Sequence, residues 1–431
     1  MIPKTYLFLI LGLGLMGGMV HADGGNVHPN VYLGFSERLR MVTWDNAITL
    51  DETADGGRSF TRHRTCLTGR WLPCDCSELA VKLTNEFRYY FVPEHTDVDF
   101  DEIIVDWLYA KWNDMFGYPL SATLGRQNMI LGEGFVVMDG HPLDGSRSIY
   151  FNAARLDWRL GQRHNLTLFY TYMPEVDDYL PIVHDREFQL IEQPEEGLGI
   201  YYAGGINAVN IDGYVIRKNI KAGDGDGPES EINTVGARLQ YPLHERLSGT
   251  IEGAYQFGEY GTVDRAAHGG YVHLDYKTNW AYYLPQTLTL GGVYFSGDDA
   301  DSENYENWDP LFSRWPKWSE SYIYTMVKEE GVAYWTNLAS AYASLKFSFS
   351  PEVSANLDYH HLMAPEYANP ERSFPGGDGK NRGDLLIGKL TYHISKRLTG
   401  HFLWESFIPG SFYFSGADNY TWIRSELLFK I

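Results

Sequence analysis

The sequence predicts an all-β fold: a transmembrane, antiparallel, up-and-down β-barrel of about 18 strands. Three observations predict it. Segments of roughly 10–14 residues alternate apolar with polar side chains along most of the chain, which puts neighbours on opposite faces of a strand. Aromatic residues gather near the ends of these segments. Turn residues separate them, in a chain of 431 residues that carries 44 Gly, 31 Tyr, 22 Phe and 12 Trp.

Taken in order, strands are expected near 31–43, 78–92, 100–112, 121–128, 149–160, 164–172, 198–203, 208–217, 231–241, 245–257, 268–277, 286–296, 338–349, 352–362, 384–395, 397–408 and 419–431. In the segment from Val81 to Phe91, Val81, Leu83, Phe87, Tyr89 and Phe91 share a face opposite Lys82, Thr84, Glu86 and Arg88. Arg155, Asp157 and Arg159 oppose Leu156, Trp158 and Leu160. Val235, Ala237, Leu239 and Tyr241 oppose Thr234, Gly236, Arg238 and Gln240, and Ile251, Tyr255 and Phe257 oppose Thr250, Glu252 and Gln256. Leu386, Leu390, Tyr392 and Ile394 oppose Lys389, Thr391 and His393. These segments are long enough to cross a membrane at a tilt. Clusters such as Tyr89-Tyr90-Phe91, Phe169-Tyr170-Thr171-Tyr172 and Tyr282-Tyr283 have the composition of interfacial girdles.

A sheet in hydrocarbon must pair every backbone amide, so it must close on itself. Bacterial barrels of this kind have even strand numbers, so an eighteenth strand is expected before residue 78, within Arg58–Leu67. The connections 409–418, 363–382, 297–337, 218–230, 173–197 and 129–148 then fall on one side, provided Tyr322 to Trp335 belongs to a connection. The turns at 395–397, 350–352, 242–244 and 161–163 fall on the other.

Residues 1–22 read as a secretory signal peptide: Lys4, an apolar run to Val20, then a small residue at Ala22. Residues 23–431 show no linker and no composition break and are expected to form a single outer-membrane β-barrel domain. A mean hydropathy of -0.31 argues against a helical membrane protein. The balance of 35 Lys+Arg against 56 Asp+Glu, a net charge of -21, excludes a typical nucleic-acid partner. The cysteines are Cys66, Cys74 and Cys76. In an oxidising compartment Cys66 is expected to bridge to Cys74 or Cys76, because a ring closed over one residue is the tighter alternative.

No nucleophile elbow, HExxH or phosphate loop is present, so no enzyme is read from the chain. His401 with Glu405 reads as polar lumen lining. Asp224-Gly225-Asp226-Gly227 and the acidic block from Asp298 to Asp309 read as solvated loops without a full calcium-loop pattern. No cofactor and no metal are expected.

At Leu124-Gly125-Arg126-Gln127, then Leu131-Gly132-Glu133-Gly134, then Arg147-Ser148 leading to Ala154-Arg155-Leu156, the sequence resembles the alginate export family of outer-membrane β-barrel porins. The block Asp309-Pro310-Leu311-Phe312-Ser313-Arg314-Trp315-Pro316 is similar to members of the same family. The resemblance implies an eighteen-stranded barrel in the outer membrane whose arginine-lined lumen passes a polysaccharide or other solute. It implies Arg126 and Arg155 as lumen arginines, with Arg88 and Arg38 on neighbouring strands. Glu133 and the connection 129–148 would shape the passage.

The expected function is therefore a porin-like channel for a hydrophilic, anionic solute such as an oligo- or polysaccharide, since an arginine ring selects anions. The alternative is a loop-plugged structural or binding barrel that holds a partner at the outer membrane. A secreted β-rich hydrolase is a third class, and it would be soluble without detergent. Expected partners are outer-membrane lipid, the solute and the barrel assembly machinery. The last strand supports the latter, since Ile423, Leu427, Phe429 and Ile431 alternate with Trp422, Arg424, Glu426 and Lys430. That alternation resembles an assembly signal, although such signals usually end in an aromatic residue rather than Ile431.

Overall fold

The structure, a computed structural model, describes residues 26–28, 30–54, 57–94, 100–138, 150–223, 227–313, 318–330, 335–368 and 376–431. The expected signal peptide at residues 1–22, residues 139–148 of the expected passage loop, and Asp224 to Asp226 lie outside the described residues.

The chain forms strands β1 (Asn26–His28), β2 (Val31–Asp45), β3 (Arg58–Cys74), β4 (Ser77–Val92), β5 (Ile104–Trp112), β6 (Leu120–Gln127), β7 (Phe151–Gly161), β8 (His164–Met173), β9 (Glu195–Ile206) and β10 (Val209–Ile220). They continue as β11 (Ser230–His244), β12 (Leu247–Tyr260), β13 (Val263–Lys277), β14 (Thr287–Phe295), β15 (Leu338–Ser348), β16 (Val353–Met363), β17 (Asn381–His393), β18 (Leu398–Pro409) and β19 (Tyr420–Lys430). Each of β2 to β19 pairs antiparallel with the next, and β19 returns to β2 from Thr421↔Asp45 to Lys430↔Ser36. The result is a closed eighteen-stranded barrel without a free edge, and β1 adds only a short ladder to β2. The expected eighteenth strand exists as β3, which starts at Arg58 and runs on to Cys74.

Alternation along each strand divides the wall. On β12, Thr250, Glu252 and Gln256 are buried inward, while Ile251, Tyr255 and Phe257 are exposed outward. A band of Leu67, Leu83, Leu156, Ile200, Val215, Ile251 and Leu290 encircles the outside at mid-height. Tyr32, Trp71, Trp112, Trp158, Tyr241 and Tyr276 ring one end, and Tyr89, Tyr170, Tyr255, Tyr294 and Tyr359 lie toward the other. An apolar belt between two aromatic girdles is the outer surface that lipid requires.

Most connections sort by length. The short turns Asp75–Cys76, Gln162–Arg163, Asn207–Ala208 and Glu245–Arg246 share one end, where β2 enters and β19 leaves, while the Gly261–Thr262 turn lies at the other. In outer-membrane barrels that end is periplasmic. The turn expected at 242–244 sits two residues later because β11 continues to His244. The long connections share the opposite end. Within the longest of them, Tyr322–Glu330 forms a short helix rather than a spanning strand, as the strand parity required.

The disulfide expectation is corrected. Cys74 bridges to Cys76 across the β3–β4 turn, with Cα atoms 5.1 Å apart, and Cys66 is free and buried. Strand geometry gives the reason: eight extended residues put Cys66 about 26 Å up the wall from Cys74, out of any bridge's reach. The hairpin turn instead folds Cys74 and Cys76 together around Asp75. Cys66 Sγ lies 3.4 Å from Thr84 Oγ1 on the inner face.

Candidate functional site: a plugged lumen with a basic wall

The long connections fold back into the barrel. Phe135, Val136 and Val137 are buried with Leu311 and Phe312, and Val137 pairs with Phe312 in a parallel bridge. Ser313 Oγ donates to the Gly134 carbonyl, tying the two inserts together. A single apolar cluster joins these residues to the short helix, through Tyr322, Ile323 and Met326, and to wall residues Phe60, Phe169, Tyr214 and Tyr271. Apolar side chains on a connection cannot stay in water at low cost, and here they find the inner wall as their core.

Polar groups latch this plug to the wall. Lys218 of β10, fully buried, reaches Asp309 at 3.0 Å, the Leu311 carbonyl at 3.1 Å and Glu195 of β9 at 2.9 Å. Gln256 of β12 donates to the Asp309 carbonyl and accepts from its amide. Glu405 of β18 accepts from Ser319 Oγ at 2.6 Å and from the amides of Glu320 and Ser321, at the start of the helix. Arg382 of β17 holds Glu329 at the other end of the helix with two bonds of 2.8 Å. Tyr322 and Tyr413 lie beside that guanidinium, and burial raises the pKa of both hydroxyls, so they act as neutral partners.

Below the plug, the register builds a basic wall. Directly paired residues Arg40, Arg62 and Arg88 lie across β2, β3 and β4, and Arg38, Arg64 and Glu86 form the next row. Lys82 and Arg424 extend the patch along β4 and β19. Glu86 lies 3.3 Å from Arg38, 3.7 Å from Arg62 and 3.6 Å from Arg64. Asp106 takes Lys82 at 2.6 Å and Arg64 at 3.8 Å, and Glu426 pairs with Arg40. Like charges placed directly across strands destabilise a sheet. In this wall the three guanidiniums of one row are offset by Glu86, Asp106 and Glu426 lying among them.

The residues expected at the site divide four ways. Arg38 and Arg88 belong to this wall, where Arg88 stacks 5.2 Å above the Phe60 ring and donates to Tyr90. Arg155 shares an inner row with Thr123 and Phe169, but its charge is met by Asp157 at 2.8 Å. Glu133 sits on the plug, 3.5 Å from both Arg238 and His273 of the opposite wall. Arg126 departs from the lumen role. Its register partners are Leu108 and Asn152, so it follows the outward row of Leu124. It is 2% exposed because the β8–β9 connection covers it. Asp177 accepts from Arg126 at 2.7 and 3.2 Å, and Tyr150 lies under the guanidinium at 3.7 Å and also donates to Asp177. Gly125 before it has φ 117°, where a Cβ would lie 2.2 Å from the Leu108 carbonyl oxygen. The Gly-Arg-Gln motif is thus a structural corner.

The sequence reading missed Arg40, Arg62, Arg64 and Lys82 as a group. The signal was present: Arg38-Leu-Arg40 and Arg62-His-Arg64 place two arginines on one strand face by their spacing of two.

A closed barrel with an apolar belt, two aromatic girdles and a charged lumen defines an outer-membrane, porin-like channel. The family model described as alginate export matches residues 31–420, and the chain belongs to the alginate export family. Among curated proteins nothing matches. Solved structures share the fold. Pseudomonas aeruginosa OccK2 (OpdF) is 12% identical, with a TM-score of 0.61 over 93% of this chain and 97% of that one. OccK2 in complex with glucuronate gives 0.60 at 12% identity, covering 93% and 98%. P. aeruginosa OpdK with vanillate gives 0.57 at 10% identity, covering 93% and 98%.

Proposed function

We propose that this channel passes anionic saccharides, of the size and chemistry of uronate oligomers, along the β19–β2–β3–β4 wall. One observation carries the reading: the in-register rows Arg40–Arg62–Arg88 and Arg38–Arg64, with Lys82 and Arg424 beside them. Guanidinium forks match carboxylates two oxygens at a time, and a file of them offers successive sites to a solute that carries one carboxylate per sugar. Family membership supports a saccharide, and the carboxylate solutes bound by OccK2 and OpdK support an anion in this barrel shape. Proteoliposome swelling tests it. Digalacturonate is expected to enter faster than a neutral disaccharide of equal size, and equal rates would refute the reading.

The plug favours a second reading, a closed barrel that binds a partner. Phe135, Val137, Phe312 and Met326 fill the end that carries the long connections. A planar bilayer separates the two: a permanently plugged barrel shows no conductance steps.

A further inference from the structure

Among the described residues, Glu320 is the plug carboxylate that lies on the basic wall itself. It precedes the short helix, and its carboxylate accepts from Arg424 Nη2 at 2.6 Å. Arg424 of β19 pairs across the sheet with Val42, one inward step beyond Arg40, so Glu320 caps the plug end of the arginine file. The surroundings of Arg424 belong to the same wall: its Nε lies 3.0 Å from His401, which lies 3.5 Å from Glu426, the partner of Arg40. The other latches differ. Glu329 and Arg382 are sealed away from the lumen at 5% and 0% side-chain exposure, and Lys218 is sealed likewise. The Glu320 side chain keeps 15% over an Arg424 at 2%, so the carboxylate is the open edge of this pair and covers the guanidinium from a solute moving along the wall.

We propose that Glu320 is a tethered stand-in for the solute: it occupies a carboxylate subsite at Arg424, and a uronate displaces it, freeing the Glu320 end of the helical segment from β19. This rests on the anionic-saccharide reading above. The chemistry is exchange of one carboxylate for another on the same guanidinium, with hydrogen bonds traded and no covalent bond made or broken. The segment stays anchored during the exchange by Arg382–Glu329. The wall loses no charge compensation, because the incoming carboxylate replaces the outgoing one. A ligand shifts such an equilibrium only through its preference for one state, and the solute has that preference because Arg424 is available to it only when Glu320 has left.

Single-channel recording tests the proposal. Wild-type protein in a planar bilayer is recorded with trigalacturonate or with a neutral trisaccharide, and Glu320→Gln is recorded without solute. Trigalacturonate is expected to raise the wild-type open-to-closed ratio, and the neutral sugar is not. Glu320→Gln is expected to raise that ratio about tenfold or more without solute and to respond little to trigalacturonate, since removing one charge of a largely buried ion pair abolishes most of what holds it. A Glu320→Gln ratio equal to wild type, with the wild type insensitive to trigalacturonate, overturns the stand-in. If that happens in a channel that still prefers anions, the solute reading survives. If the wild type prefers cations, the solute reading itself fails. Should Glu320→Gln not assemble, the wild-type comparison of charged and neutral trisaccharide decides alone.

Discussion

Replacing Arg126 with alanine separates the motif's reading from the structure's. The side chain and Asp177 are both 1% exposed and joined at 2.7 Å, so solvent screening, which reduces surface pairs to a few tenths of a kcal/mol, is absent. Removing the guanidinium leaves Asp177 buried without its charged partner, with Tyr150 still donating to it. Breaking such a pair from one side costs about 3–5 kcal/mol. The Tyr150 hydroxyl and the shallow position at the strand end favour the lower figure. The cost falls on docking of the β8–β9 connection, because the barrel ladder of β6 does not depend on that contact. Limited proteolysis should therefore cut between Val176 and Gln193 about a hundredfold faster, since 1.36 kcal/mol is a factor of ten. The ion selectivity of the channel should stay as in the wild type. Lost anion preference with unchanged proteolysis would refute this reasoning and restore Arg126 to the lumen.

Further outcomes follow from the wall and the plug. Leu290→Arg, at a position 64% exposed on the outer belt, should cost about 2–4 kcal/mol in urea titrations of the lipid-reconstituted barrel, the cost of a charge near mid-membrane. Lys218→Met strands Asp309 and Glu195 together and should loosen the plug, seen as larger or noisier conductance steps with the barrel still heat-modifiable on gels. Non-reducing peptide mass spectrometry should find the peptide that contains Cys74 and Cys76 short of two hydrogens. Cys66 should be alkylated only after unfolding, and a peptide joined through Cys66 would contradict the assignment.

The wall was legible because its period of two is written in nearly every strand, as in Val81 to Phe91, and because lipid on one face and water on the other enforce it. Strand ends were less legible. β9 runs from Glu195 to Ile206 where the pattern suggested 198–203, since Gly197, Gly199, Gly204 and Gly205 carry no apolar signal. The plug was hidden because an apolar stretch such as Phe135-Val136-Val137-Met138 looks the same whether its burial is inside the barrel or against a neighbour. Arg155 pointed inward as the alternation required. Arg126 was read through a motif rather than through its row, and its row ends in a corner under another connection. Glu320 and Arg424 lie 104 residues apart, and only the closed barrel brings them together.

The reversal potential in a salt gradient across a planar bilayer tests the central claim most directly. With potassium chloride unequal on the two sides, the wild-type channel should show anion preference. Arg62→Ala with Arg64→Ala should reduce that preference while the barrel still assembles, because Arg38 remains beside Glu86 and Lys82 beside Asp106. A wild-type channel that prefers potassium, or a double variant with an unchanged reversal potential, would contradict the assignment of the β2–β4 wall as the path of the solute.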